Sequence, residues 1–135
     1  MLQTDYFMRL IREFMDALQL FISRKRHGEK FMKELEDLYR SYLGPYDFYH
    51  ISDMDEIMHD FERFEVEERL HRMEMLARLY YVEAGEKLGS TRHMLLERSL
   101  MLFNFIDAHS KTYSIEREMC ISSLRSKLIE EERKD

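Results

Sequence analysis

The chain has a single cysteine, Cys120, so an intrachain disulfide and a cysteine-based zinc cage are both excluded. It has one proline and four isolated glycines, none of them in a strand-to-helix turn, so no Gly-rich phosphate loop is present. What fills the remaining positions is Leu, Met, Glu, Lys and Arg, the composition of helices joined by short turns. Long apolar runs are missing too. Arg9, Arg12, Glu13 and Asp16 interrupt the first apolar pattern, which argues against a signal peptide or a membrane span, and their mixed sign argues against an interfacial anchor. The cytoplasm is the expected location. With 27 acidic and 21 basic side chains the formal charge is -6, a field that repels phosphate backbones, so no nucleic-acid partner is expected. At 135 residues the chain fits one helical domain over 1–135.

Periodicity predicts an all-α fold of five to six antiparallel helices. Thr4 or Asp5 is placed to cap a first helix running to about Arg24, with Tyr6, Phe7, Leu10, Ile11, Phe14, Ala17, Leu18, Phe21 and Ile22 on one broad arc. RKRHGEK marks a turn, and Phe31, Leu35, Leu38, Tyr39 and Tyr42 carry a second helix that ends before Gly44-Pro45. Gly44 to His50 reads as a loop with three aromatics. Ser52 or Asp53 then caps a short helix, and a break is expected near Glu62 to Glu65. From Val66 helical spacing holds through Ala84, and Gly89 is expected to stop that helix, with Ser90 or Thr91 capping the next. After Tyr113-Ser114 a last amphipathic helix carries Ile115, Met119, Ile121, Leu124 and Leu128.

The segment Met94 to Ala108, MLLERSLMLFNFIDA, is apolar on two sides and so calls for partners on both flanks. Leu95, Leu96, Leu102, Phe103 and Ile106 form its main arc. Met94, Met101 and Phe105, continued by Ala108, form a second stripe open to another helix, a second subunit or a foreign protein.

Two stretches carry a family resemblance. DYFMRLIREFMDALQLF, Asp5 to Phe21, resembles the start of a family of uncharacterised bacterial tetratricopeptide-like proteins. Glu74 to Leu128 is similar to that family's helix A, helix B and capping helix; together the two cover about half of the chain. The resemblance implies a helical hairpin array, an irregular solenoid or a bundle, and implies no enzymatic activity. Met73, Leu76, Ala77 and Tyr80 match the large, large, small and aromatic positions of helix A; the same register puts Gly89, His93 and Leu96 where helix B expects small, aromatic and small residues, so the fit needs an insertion of about one turn in the hairpin.

Motifs with chemical potential are few. Two Glu-x-x-His pairs, Glu56 with His59 and Glu68 with His71, have the spacing used in di-iron bundles, but so acidic a sequence produces such pairs by chance, and these two lie close together instead of on facing helices. Asp107, His109 and Ser110 are too near one another along a helix to form a relay. Cys120 sits among apolar neighbours as a packing residue. The basic run Arg24-Lys25-Arg26-His27 with Lys30 follows a helix C-terminus, where the dipole favours positive charge. Tyr46, Phe48 and Tyr49 suit either a partner surface or a lid on the core.

The sequence therefore predicts no catalytic, cofactor-binding or metal-ligating residues. It predicts a protein-interaction module, with Tyr46, Phe48, Tyr49, Met94, Met101 and Phe105 as partner-binding candidates, whose partner is another protein or a second copy in a homodimer. The alternatives are a small helical metalloprotein using the Glu-x-x-His pairs and a purely structural homo-oligomer.

Overall fold

A computed structural model describes residues 2–134, with side-chain surroundings for 5–133. Among the described residues there is no strand. The α-helices are α1 (Leu2–Ser23), α2 (Gly28–Tyr42), α3 (Phe48–Ile51), α4 (Met54–Asp60), α5 (Val66–Ala84), α6 (Gly89–His109) and α7 (Ile115–Lys134), with a 3-10 turn at Phe61–Arg63 between α4 and α5. These seven replace the expected five to six. The additional one is α3, a single turn wound from the segment that composition marks as a loop; its aromatics bury against α2, and that tertiary gain outweighs local turn propensity. The chain divides into two compact units, Met1–Met75 and Leu76–Asp135, and the division falls inside α5.

In the first unit α1 and α2 form a hairpin. Phe7, Phe14, Leu18 and Phe21 recur at helical spacing and are buried. Phe14 meets Tyr42 edge-on at 5.1 Å between ring centroids, and Phe21 meets Phe31 at 4.9 Å. Because α1 already includes Asp5 in its first turn, the capping role expected of Asp5 does not hold, and the Thr4 side chain lies outside the described residues. The turn after α1 is tighter than RKRHGEK suggested, since α2 begins at Gly28. It is closed by Lys25 in the left-handed region, φ 50°, and by Gly28 at φ 66°. Asp53 caps α4 with a full capping box: its side chain accepts from the Glu56 N–H at 2.8 Å, and Glu56 accepts from the Asp53 N–H. The break before α5 lies where the sequence placed it, with Phe64 extended after the 3-10 turn.

Helix α5 is buried on several sides. Met73, Met75, Leu76, Ala77, Leu79, Tyr80, Glu83 and Ala84 are all buried, and the consecutive run 75–77 alone spans more than half a turn. On α6 the buried residues Leu95, Leu96, Ser99, Leu102, Phe103 and Ile106 keep to one arc. Burial from several sides, expected of Met94 to Ala108, thus belongs more to α5, whose charged composition conceals it. The glycine that follows α5 is Gly85, where the chain tightens through i to i+3 bonds from Gly85, Glu86 and Lys87. Gly89 instead opens α6 at φ 60°, and Ser90 and Thr91 lie inside that helix, so neither is its cap.

In the second unit α6 packs on α7. The Ser99 hydroxyl, fully buried, donates to the Ala77 carbonyl at 2.7 Å and brings α6 close to α5. Tyr81 and Ser123 share a hydrogen bond of 2.7 Å between α5 and α7. At the start of α7 the Ser114 hydroxyl accepts from the Arg117 N–H at 3.2 Å, in line with the predicted restart. The face of α7 differs from the expected one. Arg117, Ile121 and Leu124 are buried, whereas Ile115 and Met119, expected on the apolar face, are each 66% exposed.

Candidate interaction surface

The second unit carries an open groove of about 520 Å³ along α6 and α7. Its walls are Leu100 and Met101 of α6 and Leu128 of α7, and its polar margin holds His93, Glu97, Asn104 and Glu132. Met101 is 51% exposed, an unusual position for a long apolar side chain one residue before the fully buried Leu102. The geometry follows from helix periodicity: Glu97, Leu100, Met101 and Asn104 recur at three and four residues and present one side of α6. His93 and Glu97, four apart, pair with each other on the rim.

The other members of the predicted stripe lie elsewhere. Met94 and Phe105 are half-buried and neither lines the groove. Phe105 is stacked by His109, with ring centroids 4.0 Å apart, while His109 Nδ1 lies 2.8 Å from the Phe105 carbonyl oxygen. The same arrangement recurs in the first unit, where His50 stacks on Tyr46 at 3.8 Å and its Nδ1 lies 2.7 Å from the Tyr46 carbonyl oxygen. In both, an aromatic at i and a histidine at i+4 close one helical turn, and each ring is engaged inside its own chain.

Among the loop aromatics, Tyr49 is 1% exposed, and Tyr46 and Phe48 are half-buried. Tyr39 of α2 lies at the centre of the group, 5.1 Å from Tyr46 and 5.9 Å from Tyr49. Burial pushes the Tyr49 phenol above its ordinary pKa, so its hydroxyl stays protonated. Arginines fasten this segment to the end of α2. Arg63 donates to the Leu43 carbonyl and reaches the Tyr49 hydroxyl at 3.4 Å. Arg72 donates to the Tyr42 carbonyl and to Glu68 at 2.8 Å. Their guanidinium carbons lie 4.0 and 4.7 Å from the Phe64 ring centre. Such an assembly satisfies the carbonyls left free at the α2 C-terminus and closes the core beneath it.

The metal-ligand candidates are dispersed. Glu56 belongs to the α4 capping box, His59 pairs with Glu62 at 3.3 Å, and Glu68 pairs with Arg72. His71 is half-buried, and burial lowers its pKa despite the nearby charges of Glu74 and Glu68. Among the described residues no three His, Cys, Asp or Glu side chains come together in a metal-binding group. In the basic run, Arg24 and Arg26 both pair with Glu34, the former at 3.4 Å. Arg24 and Glu34 also line a smaller groove of about 250 Å³ between α1 and α2, together with Leu20, Leu38 and Asp37. Among the described residues no helix is long and apolar enough to cross a membrane.

The α6 pattern marks Met101 as an open position, as the structure has it, but carries no mark of Leu100, Leu128 and Glu132 beside it, because the groove exists only where two helices meet. The open side of α6 was the available signal; which part of α7 lies beside it has no signature in local periodicity. In comparisons with known proteins, no protein-family profile, curated protein or solved structure matches the chain.

Proposed function

We propose that the chain is a helical protein-interaction module that receives one amphipathic helix of a partner protein in the groove between α6 and α7, with no bond made or broken. The observation that carries this reading is Met101, half exposed in an open groove between the aliphatic side chains of Leu100 and Leu128. A flexible, polarisable thioether adapts to a partner's apolar ridge, and the volume suits a few side chains of such a ridge. Glu97 and Glu132 on the margin favour a partner with basic residues beside its apolar face. The tetratricopeptide-like reading of the hairpins belongs to the same proposal. It is supported by the α1–α2 and α6–α7 pairings and by the small residues Ala77 and Ser99 where α5 approaches α6. Tyr46 and Phe48 of the first unit retain some exposed surface and stand as a separate partner-binding candidate; Tyr49 serves the core beneath them.

The test is a side-by-side capture with immobilised wild type and Met101→Asp, the bound proteins being identified by mass spectrometry. Met101 is exposed, so the substitution leaves helix content and melting temperature close to wild type. A specific partner should bind the variant at least about tenfold more weakly, which corresponds to about 1.4 kcal/mol. A partner held equally by both proteins would sink the groove reading.

A further inference from the structure

Helix α7 has a second stripe on the side opposite the one it buries. Ile115, Met119, Ser122, Ser126 and Ile129 are all exposed, Ile129 to 49%. Their spacing runs four, three, four, three, which is that of a coiled-coil seam. Single exposed apolar residues on a helix need no explanation, but a continuous seam of this spacing along four turns describes a surface that another helix fits. Its centre is made of two serines, small enough for close approach, and its ends are aliphatic.

The flanking charges identify the occupant. Glu118 and Arg125 lie on one side of the seam; on the other, Glu116 pairs with Arg78 at 3.7 Å, and Lys127, half-buried, lies 5.9 Å from the Tyr81 ring centre of its own chain. When α7 is laid antiparallel on a copy of itself with Ser122 facing Ser122, Ile115 falls opposite Ile129. In the same register Glu118 faces Arg125 of the second copy to within one residue's rise of about 1.5 Å. Two-fold symmetry then repeats every pair. We propose that this face of α7 is an antiparallel self-association seam whose occupant is α7 of a second copy of the chain.

The Glu118 carboxyl is held above the usual carboxylate range by a hydrogen bond with Asp107, by desolvation and by the Asp107 charge, against the opposing charges of Arg117 and Arg125 of its own chain. A four-turn helix pair buries less than the roughly 1,200–2,000 Å² of a stable dimer, so the association is weak, concentration-dependent and reduced by salt. It is separate from the groove reading, because none of the five seam residues lines that groove.

Sedimentation over a concentration series tests the seam with wild type, Glu118→Arg, Arg125→Glu and an equimolar mixture of the two variants. Wild type should move from monomer to dimer, each variant alone should stay monomeric at concentrations where wild type is dimeric, and the mixture should recover the dimer. Wild type that remains monomeric up to about 1 mM, variants that dimerise like wild type, or a mixture that stays monomeric each overturn the proposal. A second measurement uses Ser122→Cys and Glu132→Cys, both in a Cys120→Ser background. Oxidation should link Ser122→Cys into a dimer several-fold faster than Glu132→Cys, and equal rates would count against the seam. A parallel pair also links at 122 but fails the charge swap, which is the outcome that separates the two orientations.

Discussion

Arg92 of α6 donates through Nε to the Glu131 carboxylate of α7 at 2.7 Å, and through Nη1 to the Ala84 carbonyl that ends α5 at 2.8 Å. One guanidinium thereby ties three helix segments of the second unit. Both side chains of the ion pair are about one-fifth exposed, so water screens the contact less than it would an open surface pair. Arg92→Met should cost about 1–3 kcal/mol, the range for losing a charged donor to a part-buried carbonyl and a part-buried carboxylate. Arg92→Lys retains the charge but not the two-pronged geometry and should recover only part of the loss. Urea titration followed by circular dichroism measures both, and an Arg92→Met midpoint equal to wild type would remove the tie from the account of stability.

The Arg92 bridge also marks where sequence reading stops. The hairpin of α1 and α2, the Asp53 cap and the Ser114 restart are local events, fixed by residues within a turn or two, and the chain announces them. The ends of α2 and α5 are different. Their free carbonyls are taken up by Arg63, Arg72 and Arg92, contacts that reach back over 20, 30 and 8 residues and have no periodic signature. The same reasoning accounts for α7. Ile115, Met119 and Ile121 all look like core residues in a one-dimensional pattern, yet two opposed stripes produce that pattern as readily as one broad face, and only packing assigns them. Of the groove, Met101 was legible as an open position on α6, while its partner wall on α7 was not.

Lys25 occupies a conformation that suits glycine. At φ 50° it ends α1 in the left-handed region, which costs an L-residue roughly 1–2 kcal/mol, partly offset by glycine's larger entropy loss on folding. Lys25→Gly should therefore stabilise the chain by about 0.5–1 kcal/mol. The exposed lysine side chain contributes little against this. Thermal melts of the two proteins decide the sign, and a lower melting temperature for Lys25→Gly would mean that the lysine side chain contributes more than its backbone conformation costs.

Gly44 and Tyr49 are coupled by space. A Cβ on Gly44 would lie 3.1 Å from the Tyr49 hydroxyl oxygen, tighter than ordinary contact, at a point where Arg63 also reaches that hydroxyl. Gly44→Ala should destabilise the protein by about 1 kcal/mol, and Tyr49→Phe should cost less in the Gly44→Ala background than in wild type because it removes the crowded atom. A double-mutant cycle by denaturant unfolding measures the coupling, expected at about 0.5–1 kcal/mol. Strict additivity would show that the α3 segment shifts away from the added methyl instead of resisting it.

His71 confers a pH dependence whose sign follows from its surroundings. Burial lowers its pKa in the folded chain, and Glu74 and Glu68 oppose that effect only in part. The unfolded chain therefore binds this proton more readily than the folded one. Stability from the neutral imidazole is fully present above the unfolded value of about 6.5 and is lost as pH falls through the folded pKa. Acidification from about pH 7 to about pH 5 should lower the melting temperature, and His71→Gln should flatten that part of the profile, because glutamine fills similar space without titrating. The same substitution leaves the Glu68–Arg72 pair in place, so its melting temperature at pH 7 should stay near that of wild type. A His71→Gln profile parallel to wild type across this interval would assign the acid sensitivity to other groups.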